Sequence, residues 1–378
     1  MKMRVGSMKL IGVAGLMLGS GAATASGYHF GTQSASNQGV ANSGAAEVMD
    51  ASTIFYNPAG MSQLDGTQVS GVLNVIMPTG EFTNTGTTTA TGKAAGGGNG
   101  GNFGVTTAVP HMYMTHQIND KLHIGVGVFV PFGSHTDYDP GWVGRYQTLE
   151  SQIQTVNINP SISYRFNDML SLGGGLSAQY IKGKLSKALD LGARVNPALS
   201  GTQSLDGKSE VSGDDIGYGF NLGALLSLSE ATRIGMAYRS KVKHELEGEV
   251  EFTIPTALQA TVGRVLKNGP ASLSVETPES FSLNAFHQIN PQWAVMADYT
   301  WTGHSRFEEI RIKSPSFTPD SVTVTKWRDT NRYSVGATYQ PNQSWLFRAG
   351  LAFDQSPEAN DKERIASIPD SDRIWYAL

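Results

Sequence analysis

Residues 216–228 read IGYGFNLGALLSL. Ile216, Tyr218, Phe220, Leu222, Ala224, Leu226 and Leu228 fall on one parity, with Gly217, Gly219, Asn221, Gly223 and Ser227 opposite. Successive side chains of a strand point to opposite faces, so this period of two makes one apolar face and one small or polar face. The pattern recurs in LSLGGGLSAQY at 170–180, where the even positions are mostly apolar. It recurs at Trp293, Val295, Ala297, Tyr299 and Trp301, and at Trp345, Phe347, Ala349, Leu351 and Phe353. A soluble sandwich also alternates, but its apolar face points to a core. Here Tyr180, Trp293, Trp301, Trp345 and Phe353 cluster at strand ends, as in the interfacial girdle of a membrane barrel.

Turn spacing extends the reading. Tight turns are expected at Asn119-Asp120, Asn167-Asp168, Ser229-Glu230, Asn290-Pro291 and Pro341-Asn342. Longer polar loops are expected at 79–106, 134–151, 185–212, 247–271, 303–321 and 355–371. Short turns alternating with long loops is the pattern of an all-β, transmembrane, antiparallel up-and-down β-barrel. The period-two test gives about eleven complete strands and the start of another at Asp372–Leu378. An open wall would leave backbone donors and acceptors facing lipid, at several kcal/mol each. The barrel over 67–378 is therefore expected to be C-terminally incomplete, short of one or more hairpins.

Composition agrees. Only 16% of the 378 residues are charged, 44 are glycine and none is cysteine. Missing cysteine excludes a disulfide scaffold, a thiolate metal site and a lipobox anchor. The net charge of −4 offers no basic surface for nucleic acid. At the N-terminus, Lys2, Arg4 and Lys9 precede the apolar run Leu10–Leu18 and the small-residue site Ala23-Thr24-Ala25. That is a cleaved secretory signal over 1–25, too short to span a bilayer. An exported chain whose later apolar runs are all too short for a spanning helix must enter a membrane as strands.

Residues 26–66 do not alternate. They are small and polar, and lead into DASTIFYNPAGMSQLDGTQVS at 50–70. This stretch resembles the FadL family of outer-membrane long-chain fatty acid transporters, as do WRDTNRYSVGATYQPNQSWLFRAGLAFDQSP (327–357) and SIPDSDRIW (367–375). The resemblance covers essentially all of 26–378, and its most specific feature is the Asn-Pro-Ala triplet. It implies a fourteen-stranded barrel in a Gram-negative outer membrane, its lumen plugged by an N-terminal hatch over 26–66. It implies passive uptake of long-chain fatty acids or similar hydrophobic molecules, with exit through a gap in the wall. It also supports the incomplete C-terminus, because family members carry further strands after the position of Trp375.

The expected site follows from the residues and from that resemblance. Asn57, Pro58 and Ala59 match the hatch motif; Pro58 fixes its own φ and pushes Asn57 out of helical space. Pro131-Phe132-Gly133 ends an apolar strand, where proline removes a ladder donor and glycine weakens pairing. In the family this strand is kinked and opens laterally, and Gly133 matches the kink glycine. A fatty acid gains about 0.8 kcal/mol per methylene buried, while its carboxylate resists burial unless paired. Inward cations are therefore expected. Parity from Leu170 turns Lys187 inward, and parity from Tyr333 turns Lys326 and Arg328 inward; Lys187 also aligns with a basic position of the family's inner site. Trp142, Val143, Tyr146, Leu189, Leu191 and Val195 are candidates for an outer capture groove.

Rival functions are aromatic or alkane hydrocarbon uptake by the same fold, a general porin, and a barrel enzyme. A hatch argues against the porin. Scattered histidines, with neither a G-x-S-x-G elbow nor an H-E-x-x-H pair, argue against the enzyme. No catalytic residue, metal or cofactor is expected. The expected partners are the hydrophobic substrate, outer-membrane lipid and lipopolysaccharide, with the protein monomeric.

Overall fold

A computed structural model describes residues 27–316, 319–360 and 363–378. The expected signal peptide lies outside the described residues. Seventeen strand segments form one antiparallel sheet. They are β1 (Thr67–Ile76), β2 (Thr107–Gln117), β3 (Leu122–Phe129), β4 (Gly133–Asp137), β5 (Glu150–Arg165), β6 (Leu170–Leu189), β7 (Gly207–Ser229), β8 (Thr232–Arg239) and β9 (Val242–Thr253). The rest are β10 (Gly269–Thr277), β11 (Ser280–Gln288), β12 (Trp293–Thr302), β13 (Glu309–Lys313), β14 (Ser321–Val324), β15 (Thr330–Asn342), β16 (Trp345–Asp354) and β17 (Arg373–Ala377). Five pairs continue one another across short interruptions: β3 with β4, β8 with β9, β10 with β11, β12 with β13 and β14 with β15. Twelve wall strands result, each laddered to its neighbours in sequence order.

Four of the five tight turns share one device, and at the fifth Ser229 Oγ accepts from the Ala231 amide at 3.3 Å. Asn119 Oδ1 accepts from the amides of Lys121 and Leu122, and Asn167 Oδ1 from those of Met169 and Leu170. Asn290 Oδ1 takes Gln292 and Trp293, and Asn342 Oδ1 takes Ser344. An asparagine that bonds the amide two residues on mimics a backbone turn, which is why these short connections reverse the chain.

At the opposite end the strands run further than the apolar pattern. β6 and β7 continue to Leu189 and from Gly207, leaving a loop of 190–206 where 185–212 was expected. Likewise a loop of 254–268 replaces the broader one expected at 247–271, and within the expected loop 303–321 the strand β13 runs over Glu309–Lys313. In β9, Glu245, Glu247, Glu249 and Glu251 occupy the outward positions. Beyond the bilayer the ladder needs no apolar residue, so polarity alone misplaces the strand ends.

The outward face is apolar. Leu73 is 65% exposed, Leu176 70% and Tyr218 76%, with Val126, Ile158, Leu222, Val335 and Leu351 in the same band. Water against such a face forgoes about 1.5–3 kcal/mol per large side chain, and lipid restores it. Trp293 stacks on Tyr339 at 4.4 Å and Trp345 on Phe347 at 5.9 Å beside the short turns, where a girdle belongs.

Residues 27–66 fold inside the wall as two single-turn helices, a 3-10 segment and irregular backbone. Inward wall positions facing them are small and polar: Ser161, Ser163, Ser171, Ser177, Asn221 and Asn284 are all buried.

Candidate functional site

The hatch motif sits at the floor of the lumen. Asn57 ends one helical turn and caps the next: its Oδ1 accepts from Ala59 N at 3.1 Å, with Pro58 opening the 3-10 segment Pro58–Gln63. Its Nδ2 donates to Ala224 O of the wall at 3.0 Å. Ser163 Oγ donates to Ala59 O at 3.1 Å, and Ser62 Oγ to Ser171 Oγ at 2.8 Å. A plug of irregular backbone carries many unpaired groups, and wall side chains satisfy them.

The approach is close enough to require glycine. A Cβ on Gly223 would sit 2.1 Å from Asn57 Oδ1, one on Gly173 2.4 Å from Ala59 N, and one on Gly350 2.2 Å from the Val40 carbonyl carbon. In the sequence, Gly223 stands simply on the small-residue face of its strand. The spacing of these glycines carries no signal of the hatch, since the contact is made by residues more than a hundred positions away.

Pro131, Phe132 and Gly133 fall at a break in the wall. β3 leaves its ladder with β5 at Phe129↔Asn157, and β4 resumes at Gly133↔Gln154. Three residues, Val130–Phe132, thus oppose the two residues Thr155 and Val156. An extra residue bends a strand and leaves groups unpaired. Thr155 Oγ1 takes the amide of Phe132 at 3.0 Å and donates to its carbonyl at 2.6 Å. Most of the remaining groups go to the hatch: Phe30 N donates to Pro131 O at 2.8 Å, Gly133 N to Tyr28 O at 2.8 Å and Gln33 Nε2 to Val130 O at 2.8 Å, while Val130 N donates to His111 Nδ1 of β2 at 3.3 Å. On the other side the ladder of β2 with β3 stops at Met112↔Val128. The edge Thr107–His111 therefore has no ladder partner there among the described residues, and Pro110 lacks an N–H to offer one.

Above the break the lumen becomes apolar. Tyr28, Phe132, Phe307 and Trp327 form an aromatic group, with Tyr28 at 5.4, 5.5 and 5.8 Å from the other three rings. Val250, Ile310, Ile312 and Ile368 are buried beside them, and Ile153, Leu185, Val211 and Leu273 pack against the group. A narrow cavity of about 40 Å³ lies between Tyr28, Ile181, Leu185, Val211, Leu273 and Phe307. A larger space of about 820 Å³ runs from the break, at His29, Phe30, Val130 and Gly133, past Arg239 and Arg332 to the edge strands β1 and β17, where outward residues such as Leu73 and Tyr376 line it.

The expected cations part ways. Lys187 faces the lumen two residues from Leu185, is partly buried, and donates to Ser321 Oγ at 3.2 Å. No carboxylate lies within ion-pair distance of it among the described residues. Lys326 and Arg328 do not face the chamber. Lys326 is exposed at φ +48° and pairs with Glu363 at 3.2 Å. Arg328 is exposed, donates to Ser356 O at 3.2 Å and approaches Asp372 at 3.9 Å. Parity counting fails because residues 325–329 leave the ladder between β14 and β15, and the left-handed Lys326 reverses the faces. Trp327 takes the inward place instead.

The groove residues also divide. Trp142 and Val143 are buried in a loop core, Trp142 stacked on Tyr138 at 4.1 Å. Leu191 is buried against Leu258, Val262 and Leu266, with Leu189 at the edge of that cluster. Trp142, Val143 and Leu191 thus hold the loops together rather than line an open groove. Tyr146 donates to Asp206 at 2.7 Å, and Val195 is half exposed. Arg145, unremarked in the sequence, is 1% exposed and ties these loops through Asp206, Gly96 O and Gly201 O.

A family model described as outer membrane protein transport protein (OMPP1/FadL/TodX) matches residues 16–378. The chain belongs to this family. It is 34% identical to an outer membrane protein of Neisseria meningitidis serogroup B, over 98% of this chain and 85% of that protein. It is 30% identical to the long-chain fatty acid transport protein of Escherichia coli, over 94% of this chain and 83% of that one. The crystal structure of a FadL homologue from Pseudomonas aeruginosa superimposes with a TM-score of 0.83 at 26% identity, over 92% of this chain and 85% of that one. The FadL-family chain is thus an outer-membrane β-barrel that transports hydrophobic compounds, a channel and not an enzyme.

Proposed function

We propose that this FadL-family channel takes up long-chain fatty acids. The carrying observation is Lys187, a partly buried ammonium with one hydroxyl partner, on the same face as Leu185 of the apolar chamber. Burying a cation is unfavourable unless something pairs it, and a carboxylate with an apolar tail fits both neighbours. The fatty acid enters among the loops, near Leu189, Tyr146 and Val195. Its tail displaces side chains along the narrow cavity beside Tyr28. It leaves sideways at Pro131–Gly133, where the backbone ladder with β2 has stopped and backbone groups of the wall bond to the hatch instead. The hatch over 26–66 keeps the floor closed to ions meanwhile.

The test compares laurate with dodecanol on purified protein. Lys187→Gln is expected to weaken laurate binding about tenfold, the value of one charge-assisted hydrogen bond, and to leave dodecanol unchanged. Equal loss of both ligands would count against a carboxylate at Lys187.

A second reading is favoured by the Tyr28, Phe132, Phe307 and Trp327 rings, which would stack on an aromatic hydrocarbon. Vesicle uptake of toluene faster than laurate, insensitive to Lys187→Gln, would select it.

A further inference from the structure

Two guanidiniums line the large cavity with no carboxylate in ion-pair contact among the described residues. Arg239, at the end of β8, donates to Phe55 O of the hatch at 3.1 Å and lies over the Phe55 ring at 5.0 Å and the Phe129 ring at 5.3 Å. Arg332, near the start of β15, donates to Ala41 O of the hatch at 2.7 Å. Among the described residues neither has an acidic oxygen within 4.0 Å. Other charges at the same cavity are already answered. Arg373 meets Asp354 at 3.6 Å and Asp370 at 3.3 Å, and Asp298 is held by Thr300 at 2.8 Å and by Asn284. His29 stands among Asp354, Arg332, Arg239 and Arg373, and burial above all pushes its imidazole down to about 4 against the pull of Asp354, leaving it neutral. The three guanidiniums and three carboxylates around the cavity balance in number, Arg332 lying across the ladder from Asp354, but among the described residues Arg239 and Arg332 have no acidic oxygen in ion-pair contact.

A guanidinium has five donors, and each of these two spends one on a hatch carbonyl. The remaining donors match a carboxylate, which they can grip in a fork. The cavity that exposes them is also lined by Phe30, Val130, Gly133 and Ile153, so a tail can lie from the guanidiniums toward the break.

We propose that Arg239 and Arg332 form a second carboxylate station, deeper than Lys187, that holds the head of a long-chain monocarboxylate while its tail reaches the opening. This rests on the fatty-acid reading above. An anionic amphiphile then crosses between two cationic stops, and a neutral hydrocarbon passes both.

The experiment titrates laurate and dodecanol into the purified protein in nanodiscs, with ¹³C-carboxyl laurate followed by NMR. Wild type is expected to bind laurate at two sites with two bound carboxyl resonances. Lys187→Gln removes one. The double variant Arg239→Gln, Arg332→Gln removes the other and leaves dodecanol affinity within about twofold, because dodecanol brings no carboxylate for the guanidiniums to hold. Arg239→Lys with Arg332→Lys retains the second site, weakened by loss of the fork. Two laurate sites in the double glutamine variant overturn the proposal, as does a matching loss of dodecanol, which would make the arginines hatch anchors only. Should the glutamine variant fail to fold, a single bound resonance in wild type overturns it alone. Wild type that binds dodecanol but no laurate refutes the fatty-acid reading and this station together. Wild type with one laurate site, abolished by Lys187→Gln, refutes the station and leaves the fatty-acid reading standing.

Discussion

Strands β5, β6 and β7 face the lumen along their whole length, and their inward residues change character midway. Near the turns they present Ser161, Ser163, Ser171, Gly173, Asn221 and Gly223, all against the hatch. Near the loops the same parity presents Ile153, Ile181, Leu185 and Val211. Below, the neighbour is irregular backbone, whose donors and acceptors must be met and whose bulk leaves no room for a Cβ. Above, the side chains surround the apolar chamber. One alternating strand thus builds a polar seal and an apolar passage, distinguished only by what lies across the lumen.

Four changes probe that contrast. Trp327→Ala should have the largest effect, since removing a buried aromatic destabilises by about 3–5 kcal/mol. Chemical unfolding in detergent would measure it, and laurate and dodecanol binding should fall together. An unaltered unfolding midpoint would mean that the aromatic group does not support the upper lumen. Gly350→Val attacks the lower seal. Its added carbons meet the Val40 backbone, and overpacking destabilises by about 1–3 kcal/mol. Because the hatch must shift, single-channel recordings should show small-ion conductance where wild type shows little. A variant as tight as wild type would show that the glycines are not what admits the hatch.

The third change addresses the boundary between the two halves. Pro131→Thr with Gly133→Thr restores a donor and strand propensity to the break. Laurate uptake into vesicles should fall several-fold while binding at Lys187 persists. Unchanged uptake by a folded variant argues against lateral exit there. The smallest effect concerns segments 355–360 and 363–372, which pack Ile365 and Ile368 against the upper aromatic group. Burial pushes Glu358 up to about 7 and Asp370 up to about 6, although Arg364 and Arg373 pull the other way. Both carboxyls hold protons in the fold at pH values where the unfolded chain has lost them. Their contribution is therefore complete below about pH 4 and is lost as pH rises through 6 to 7. Hydrogen exchange in these segments should be faster at pH 8 than at pH 5, and Glu358→Gln should flatten the difference. Equal protection at both values removes the carboxyls from the segments' anchoring.

Much of the wall was legible. Period two in 170–180 and 216–228 gave the right outward face, and each asparagine-led turn reversed where expected. Lys187 was placed inward because β6 runs from Leu170 to Leu189 without a break. Lys326 and Arg328 were misplaced because a ladder interruption at 325–329 resets the count, and nothing in KWRD announces it. Trp142, Val143 and Leu191 read as exposed loop residues because loop cores leave no periodic trace. Leu225 stands apolar on the small-residue face of its strand, and the structure packs it against the hatch residues Val40 and Ala59.

The sequence by itself determined that this chain is exported, spans a membrane as alternating strands and turns back on short asparagine-led connections. Those are local properties, set by one residue and its neighbours a few positions away. Only the tertiary structure decided which glycines admit the hatch, which aromatic rings meet above it and which arginines keep spare donors. Each of those depends on contacts across the lumen between residues far apart in the chain, and such contacts leave no period, spacing or composition to read.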